Sequence, residues 1–301
     1  MKKKKLLWSI LISGFILVAP SEMFSAEHAA LNIMKLYSAE IKNVTNVNPY
    51  LISILALNEV GHDKHIDEVR RFILWYFSKL NYPDHDGLTG TIYDYTIKNG
   101  QECSTNAYDS VDGYAGIFLH LVYQYVLRTG DLDMLRNNWR KIEDIVYLIP
   151  FLQDKDGLTK ALLKKDTKYL MDNCESYGGI SAYIGLRTLL GKQSSAYYNH
   201  VHSAIKKAVF THLYEPRNGI FYWAVENGNK SPAVWNRFYP DAYAQLFPVY
   251  FGLLADKPEL KQRLWKEFTR RYSAKLLDFS IEQRIFYAMT KRKMEGILRR
   301  L

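Results

Sequence analysis

Five carboxyls stand at comparable places in the chain: Asp109 and Asp112, Asp172 and Glu175, and Asp241, each at the opening of an apolar and aromatic run with helical spacing. Grouped carboxyls suit three tasks. An aspartate ahead of a helix accepts hydrogen bonds from the unpaired amides of the first turn and favours the helix dipole, a reading that fits Asp109 and Asp172 best. Several carboxylate oxygens can hold a calcium-like cation, although no loop here has the alternating ligand pattern of a dedicated site. The third task is acid–base catalysis, in which a protonated carboxyl donates to a leaving group while a carboxylate activates water or attacks carbon.

The spacing argues that these groups share one location. Asp112-x-Tyr114-Ala115, Glu175-x-Tyr177-Gly178 and Asp241-x-Tyr243-Ala244 repeat one acid-x-Tyr-small signature, with Asn48-x-Tyr50 as a fainter first copy. Successive tyrosines lie 63 to 66 residues apart, the mark of a repeat architecture. Capping alone does not explain why the recurring acid lies inside the motif and is followed by Tyr each time.

The positioning elements follow from the periodicity. Helices are expected at 29–41, 50–60, 65–80, from Asp109 to the Gly130 stop, and at 131–152, 169–190, 194–213, 241–254 and 281–291, with a further one beginning at Lys257. Short Gly/Asp turns follow each motif helix, whereas long decorated loops precede it. These loops include 81–105 and the aromatic stretches 220–225 and 233–238, which read as short strands and hairpins. Such alternation closes most naturally into an all-α ring of helical hairpins, an (α/α)6-type toroid. Apolar motif helices form its inner wall and more polar helices its outer wall. Ten or eleven helices are expected, fewer than the twelve of six full hairpins, which leaves an incomplete ring or an unseen helix open. Every acid-x-Tyr then falls on one rim.

Composition bounds the rest. The 301 residues are 48% hydrophobic and 14% aromatic, enough for a sizeable core and incompatible with disorder. Residues 1–26 carry a basic start (Lys2 to Lys5) and an apolar stretch from Leu6 to Ala19 that is short for a membrane span. They read as a secretory signal or N-terminal anchor, leaving 27–301 as a single catalytic domain that is secreted or extracytoplasmic. No stable membrane insertion is expected unless that leader stays uncleaved. Its removal takes away four lysines and one glutamate, lowering the formal charge from +9 to +6. The remaining excess is dispersed, so no nucleic-acid partner is expected, and the chain is expected to be a monomer. Cys103 and Cys174 sit near successive motif copies; a disulfide and two free thiols both remain open.

The repeat, the segments YDSVDGYA and YPDAYAQL and their common rim resemble the six-hairpin glycosidase superfamily, whose (α/α)6 toroids include glycoside hydrolase family 8, without matching one family's full motif set. The resemblance covers most of the chain and implies an exported glycoside hydrolase acting on a polysaccharide or oligosaccharide through two carboxyls. The Glu of family 8 near the first inner helix has no counterpart here, because Glu59 lies at the far end of that helix. By position, Asp112 and Glu175 are expected as the working pair, with Asp241 third and Asp109 and Asp172 supporting. Inversion would require carboxyls about 6.5–9.5 Å apart.

Sugar rings need flat aromatic faces and planar hydrogen-bonders, for which Tyr114, Tyr177, Trp223, Trp235, Arg237, Tyr239, Tyr243 and Gln245 are the candidates. No metal site and no cofactor are expected: His62 and His65 read as solvated turn histidines and His120 as an interior one. No phosphate loop, dinucleotide fingerprint or Ser–His–Asp signature is present. The alternatives are a polysaccharide lyase or unsaturated-glycoside hydrolase on the same ring, and a non-catalytic glycan-binding or scaffold protein.

Overall fold

A computed structural model describes residues 28–41 and 44–296. The leader expected over 1–26 lies outside the described residues. Among the described residues no helix is long and apolar enough to cross a membrane.

Inner and outer helices separate by how much of their circumference is apolar. Helices α2 (Pro49–Glu59), α4 (Val111–Thr129) and α7 (Leu170–Leu189) are buried on nearly every face, as expected for helices surrounded by others. In contrast, α3 (Ile66–Ser78), α6 (Trp139–Leu152), α8 (Ala196–Ala208) and α10 (Pro258–Tyr272) bury single stripes, such as Leu264, Phe268 and Tyr272 on α10. The first helix, α1 (Ala29–Lys35), packs on α2 and α3. A six-residue helix α5 (Leu132–Asn137) precedes α6.

The ring closes. Helix α2 packs on α4, α4 on α7, α7 on α9 (Leu246–Tyr250), α9 on α11 (Ile281–Met294), and α11 returns to α2. Among the described residues the fold is therefore a toroid of five hairpins, which fits the helix count read from the sequence.

Several expectations shift. The first helix, expected over 29–41, is regular only to Lys35. The helix expected over 131–152 breaks at Asn138, between α5 and α6. The one expected over 241–254 enters through a wide turn, Phe238–Ala242, and is regular only over α9. The stretch 233–238 forms no strand.

The long loops carry small antiparallel sheets. Strand β1 (Asn46–Val47) pairs with β2 (Tyr95–Lys98), which pairs with β3 (Gln101–Ser104). Strand β4 (Thr167–Tyr169) pairs with β7 (Ala224–Glu226) and β7 with β8 (Asn229–Ser231), while β5 (Tyr214–Glu215) pairs with β6 (Ile220–Phe221). The β4–β7 register sets Tyr169 opposite Ala224, and the Leu170 amide donates to the Trp223 carbonyl at 2.9 Å. An aromatic loop is thereby fixed to the start of α7. Cys103 on β3 and the buried Cys174 on α7 are both free thiols.

Candidate active site

The amino ends of all five inner helices meet around one cleft of about 540 Å³, within the range of small-molecule sites. Asn48 and Tyr50 come from α2, Asp109, Ser110 and Tyr114 from the start of α4, and Tyr169, Met171 and Asp172 from the start of α7. Trp223, Tyr239 and Tyr243 come from the third long loop and the turn into α9, and Glu282 and Gln283 from α11. Local chemistry fixes these ends. The Asn48 side chain accepts from the Leu51 amide at 2.8 Å with Pro49 in the first turn, and the Ser110 hydroxyl accepts from the Gly113 amide at 3.1 Å.

At and behind this lining lies a buried group of three carboxyls. Asp112 and Glu175 are fully buried and Asp172 nearly so. They surround Gly113, where an added Cβ would lie 3.0 Å from Glu175 Oε2 and 3.4 Å from Asp172 Cγ. Each has one oxygen without a hydrogen-bond partner: Asp112 Oδ2, Asp172 Oδ2 and Glu175 Oε2. The other Asp112 oxygen accepts from the Gly113 amide at 2.9 Å, and Glu175 Oε1 accepts from the Tyr50 hydroxyl at 2.6 Å.

Burial governs the electrostatics. It pushes Asp172 well above the usual carboxylate range, and the negative charges of Asp112 and Asp109 add to the effect. Burial likewise raises Glu175, reinforced by Asp172 and Asp112 and opposed by the Tyr50 hydroxyl. Asp112 is pushed up to about 6 by burial, against hydrogen bonds that favour its anion. A helix amino end lowers a carboxyl pKa, but here removal from water outweighs that dipole. Asp172 alone of the three lines the cleft. The cleft therefore presents one carboxyl biased toward its protonated form, beside the exposed Asp109.

A second polar cluster flanks it. Tyr114 donates to Asp94 Oδ1 at 3.0 Å and receives the Asn48 amide at 2.8 Å, and burial raises Asp94 to about 6. Tyr50 stacks on Tyr114 with centroids 5.6 Å apart, and Tyr169 lies nearly parallel to Trp223 at 6.3 Å. Flat faces thus line the same cleft as Asp172.

The repeat does not place all its members alike. Asp109, Asp172, Tyr114, Trp223, Tyr239 and Tyr243 line the cleft, whereas Asp112 and Glu175 sit behind it rather than facing each other across it. Asp241 departs from expectation: it is fully buried in a two-pronged pair with Arg237, at 2.6 and 2.8 Å, and also accepts from the Val234 amide at 2.9 Å. Arg237 is thereby occupied. Gln245 is buried with both ends of its amide on the Phe221 backbone, and so ties β6 to the ring. Tyr177 turns outward and stacks on His202 at 3.9 Å. Trp235 lines a separate surface depression with Arg263 and Glu267.

Sequence reasoning passed over Asp94, Tyr169, Met171, Glu282 and Gln283. Asp94 comes from a long loop and Tyr169 from its strand end, where no periodicity marks them, and α11 carries no copy of the motif. Asn48 and Tyr50 were visible as the faint first copy.

A second cavity of about 300 Å³ opens at the carboxyl ends of the inner helices, lined by His62, His120, Gln124, Arg128, Arg292 and Lys293 among others. Among the described residues no carboxyl lines it.

No protein-family model matches the chain, and no curated protein sequence matches it. Solved structures do. A rhamnosidase from Klebsiella oxytoca, determined with rhamnose bound, has a TM-score of 0.57 at 13% identity over 94% of this chain and 54% of its own. A GH76 α-mannanase from Bacteroides thetaiotaomicron gives 0.51 at 11% identity over 85% and 73%. A wild-type glycosidase gives 0.54 at 15% identity over 84% and 71%. This chain spans about half the length of the rhamnosidase. At these identities the likeness establishes the fold alone, the α/α toroid of helical hairpins that those structures share.

Proposed function

We propose that the protein is a glycan-acting enzyme that hydrolyses glycosidic bonds of a polysaccharide or oligosaccharide. One observation carries this reading: Asp172 lines an aromatic cleft while burial, reinforced by the negative charges of Asp112 and Asp109, holds its pKa high. Such a group donates a proton to a departing sugar oxygen near neutral pH. Asp109, exposed in the same lining, is assigned the complementary role of activating water. Asp112 and Glu175 act as positioning residues, since three carboxyls packed together do not ionise at once. The stacked Tyr50–Tyr114 and Tyr169–Trp223 faces receive the sugar rings. The rhamnosidase, mannanase and glycosidase of the same fold support a carbohydrate substrate. The basic and apolar start of the chain supports action outside the cytoplasm.

The test is release of reducing ends from a panel of polysaccharides and oligosaccharides by the purified protein and by Asp172→Asn and Asp109→Asn. Loss of release in both variants, with sugar binding retained, is the expected result. Full activity in Asp172→Asn would overturn the assignment. An ultraviolet-absorbing product in place of simple reducing ends would indicate a lyase.

A further inference from the structure

The opposite mouth of the ring holds a second set of converging side chains. Glu59 ends α2, His62 lies in the short turn that follows, and His65 leads directly into α3. One donor atom from each lies within 4.8 Å of the other two. Both imidazoles turn Nδ1 toward the same carboxylate oxygen, Glu59 Oε2: His62 at 3.2 Å and His65 in closer contact. We propose that Glu59, His62 and His65 form a binding site for a first-row divalent cation of the zinc class.

Three further observations favour a cation there. The other Glu59 oxygen is already oriented, accepting from the Tyr37 hydroxyl and from the Asn58 amide at 3.0 Å, while Asn58 is itself held by Arg292 at 2.6 Å. An outer layer of this kind is what keeps a ligating carboxylate in place. Glu59 is buried, and its ion pairs among the described residues are with the two histidines, not with Lys or Arg. The site also sits at the carboxyl end of α2, where unpaired carbonyls and the dipole favour positive charge.

Two nitrogens and one carboxylate oxygen suit Zn²⁺, Co²⁺ or Ni²⁺ rather than Ca²⁺ or Mg²⁺, which take oxygen ligands. His62 is half exposed and lines the 300 Å³ cavity, leaving a further coordination position open toward it. The bound ion would tie the end of α2 to the start of α3, one of the short turns that hold the hairpins in sequence. This site is independent of the carboxyl cleft.

The test is calorimetric titration of the chelator-treated full chain with Zn²⁺ alone, repeated with Co²⁺ to read the visible absorption of a tetrahedral site. One equivalent bound at micromolar concentration or tighter is expected. His62→Ala, at a partly exposed turn where folding is not at stake, and His65→Ala should each weaken binding by more than about a hundredfold. Tyr37→Phe should cost about tenfold, as for the loss of an outer hydrogen-bond partner. His200→Ala, on the exposed face of α8, should change nothing. Absence of binding, unchanged binding in the His62→Ala/His65→Ala double variant, or displacement of Zn²⁺ by equimolar Ca²⁺ would each overturn the assignment.

Discussion

Gly116 of α4 and Gly179 of α7 face each other across a close approach of two inner helices: a Cβ added to Gly179 would lie 2.7 Å from the Gly116 Cα, and one added to Gly116 would lie 2.5 Å from the Glu175 carbonyl carbon. Asp112 and Glu175 each stand four residues before one of these glycines. One helical turn separates the contact from the carboxyls, so backbone approach at the glycines stacks the acids together above it.

That relationship makes Gly116→Ala a sensitive probe. The new methyl meets backbone on the facing helix, which cannot swing aside as a flexible side chain would. A loss of about 1–3 kcal/mol in folding stability is expected, the usual cost of overpacking, together with reduced turnover as the carboxyls are pushed apart. Urea denaturation followed by ring fluorescence checks the first effect and steady-state kinetics the second. Unchanged stability would mean that the two helices do not meet closely at Gly116.

Asp172→Asn removes the proton carried by the cleft's buried carboxyl. General acid catalysis contributes typically 10²- to 10⁴-fold, so kcat should fall by about that factor with little change in KM. In the wild type the rate should decline on the alkaline side as Asp172 ionises. Because Asp112 adds to the upward push on Asp172, Asp112→Asn should move that alkaline limb to lower pH. A pH–rate profile for the two proteins reads the shift directly, and a limb that stays in place or moves upward would separate Asp112 from the proton's retention.

The same carboxyls give stability a pH dependence whose sign is opposite to that of a salt-bridged aspartate. Asp112 binds its proton more tightly folded than unfolded, with a folded value of about 6 against an ordinary 3.8. Its contribution is therefore fully present below the unfolded value and is lost as pH rises through the folded one. Asp112→Asn, which cannot ionise, should gain stability relative to the wild type between pH 4 and pH 8, by roughly 3 kcal/mol at most. Paired thermal melts across that range test this, and a relative stability that falls with pH would contradict it.

Arg237→Ala addresses a different carboxyl. It leaves Asp241 buried with only the Val234 amide, and an uncompensated buried charge is strongly unfavourable. The expected outcome is a lower Tm, with kcat and KM per folded molecule close to wild type because neither residue lines the cleft. A large change in kcat without a change in Tm would return Asp241 to the catalytic group.

Much of this architecture was legible in the chain because it rests on local rules. The helices α2, α4 and α7 announce themselves by continuous apolarity, by Pro49 at one start and by Gly130 at one end; the cap of α4, read as Asp109, is Ser110. The period between tyrosines states that hairpins repeat. Even the common rim follows, since each motif opens an inner helix. The outer helices are legible by their single stripes, as with Val69, Phe72, Ile73 and Tyr76 on α3. What repetition could not convey was where each copy's side chain would point, because that depends on the neighbour it meets.

The sequence by itself determined that helical hairpins would form a ring and bring acids and tyrosines to one end. Tertiary structure alone decided which acid meets the cleft. Arg237, four residues away, claims Asp241, His202 on an outer helix draws Tyr177 outward, and the close approach at Gly116 and Gly179 sinks Asp112 and Glu175 behind Asp172. Charges on different elements acquire shifted pKa values only when packing removes water from between them, and that removal is a property of the assembled ring, not of any segment read alone.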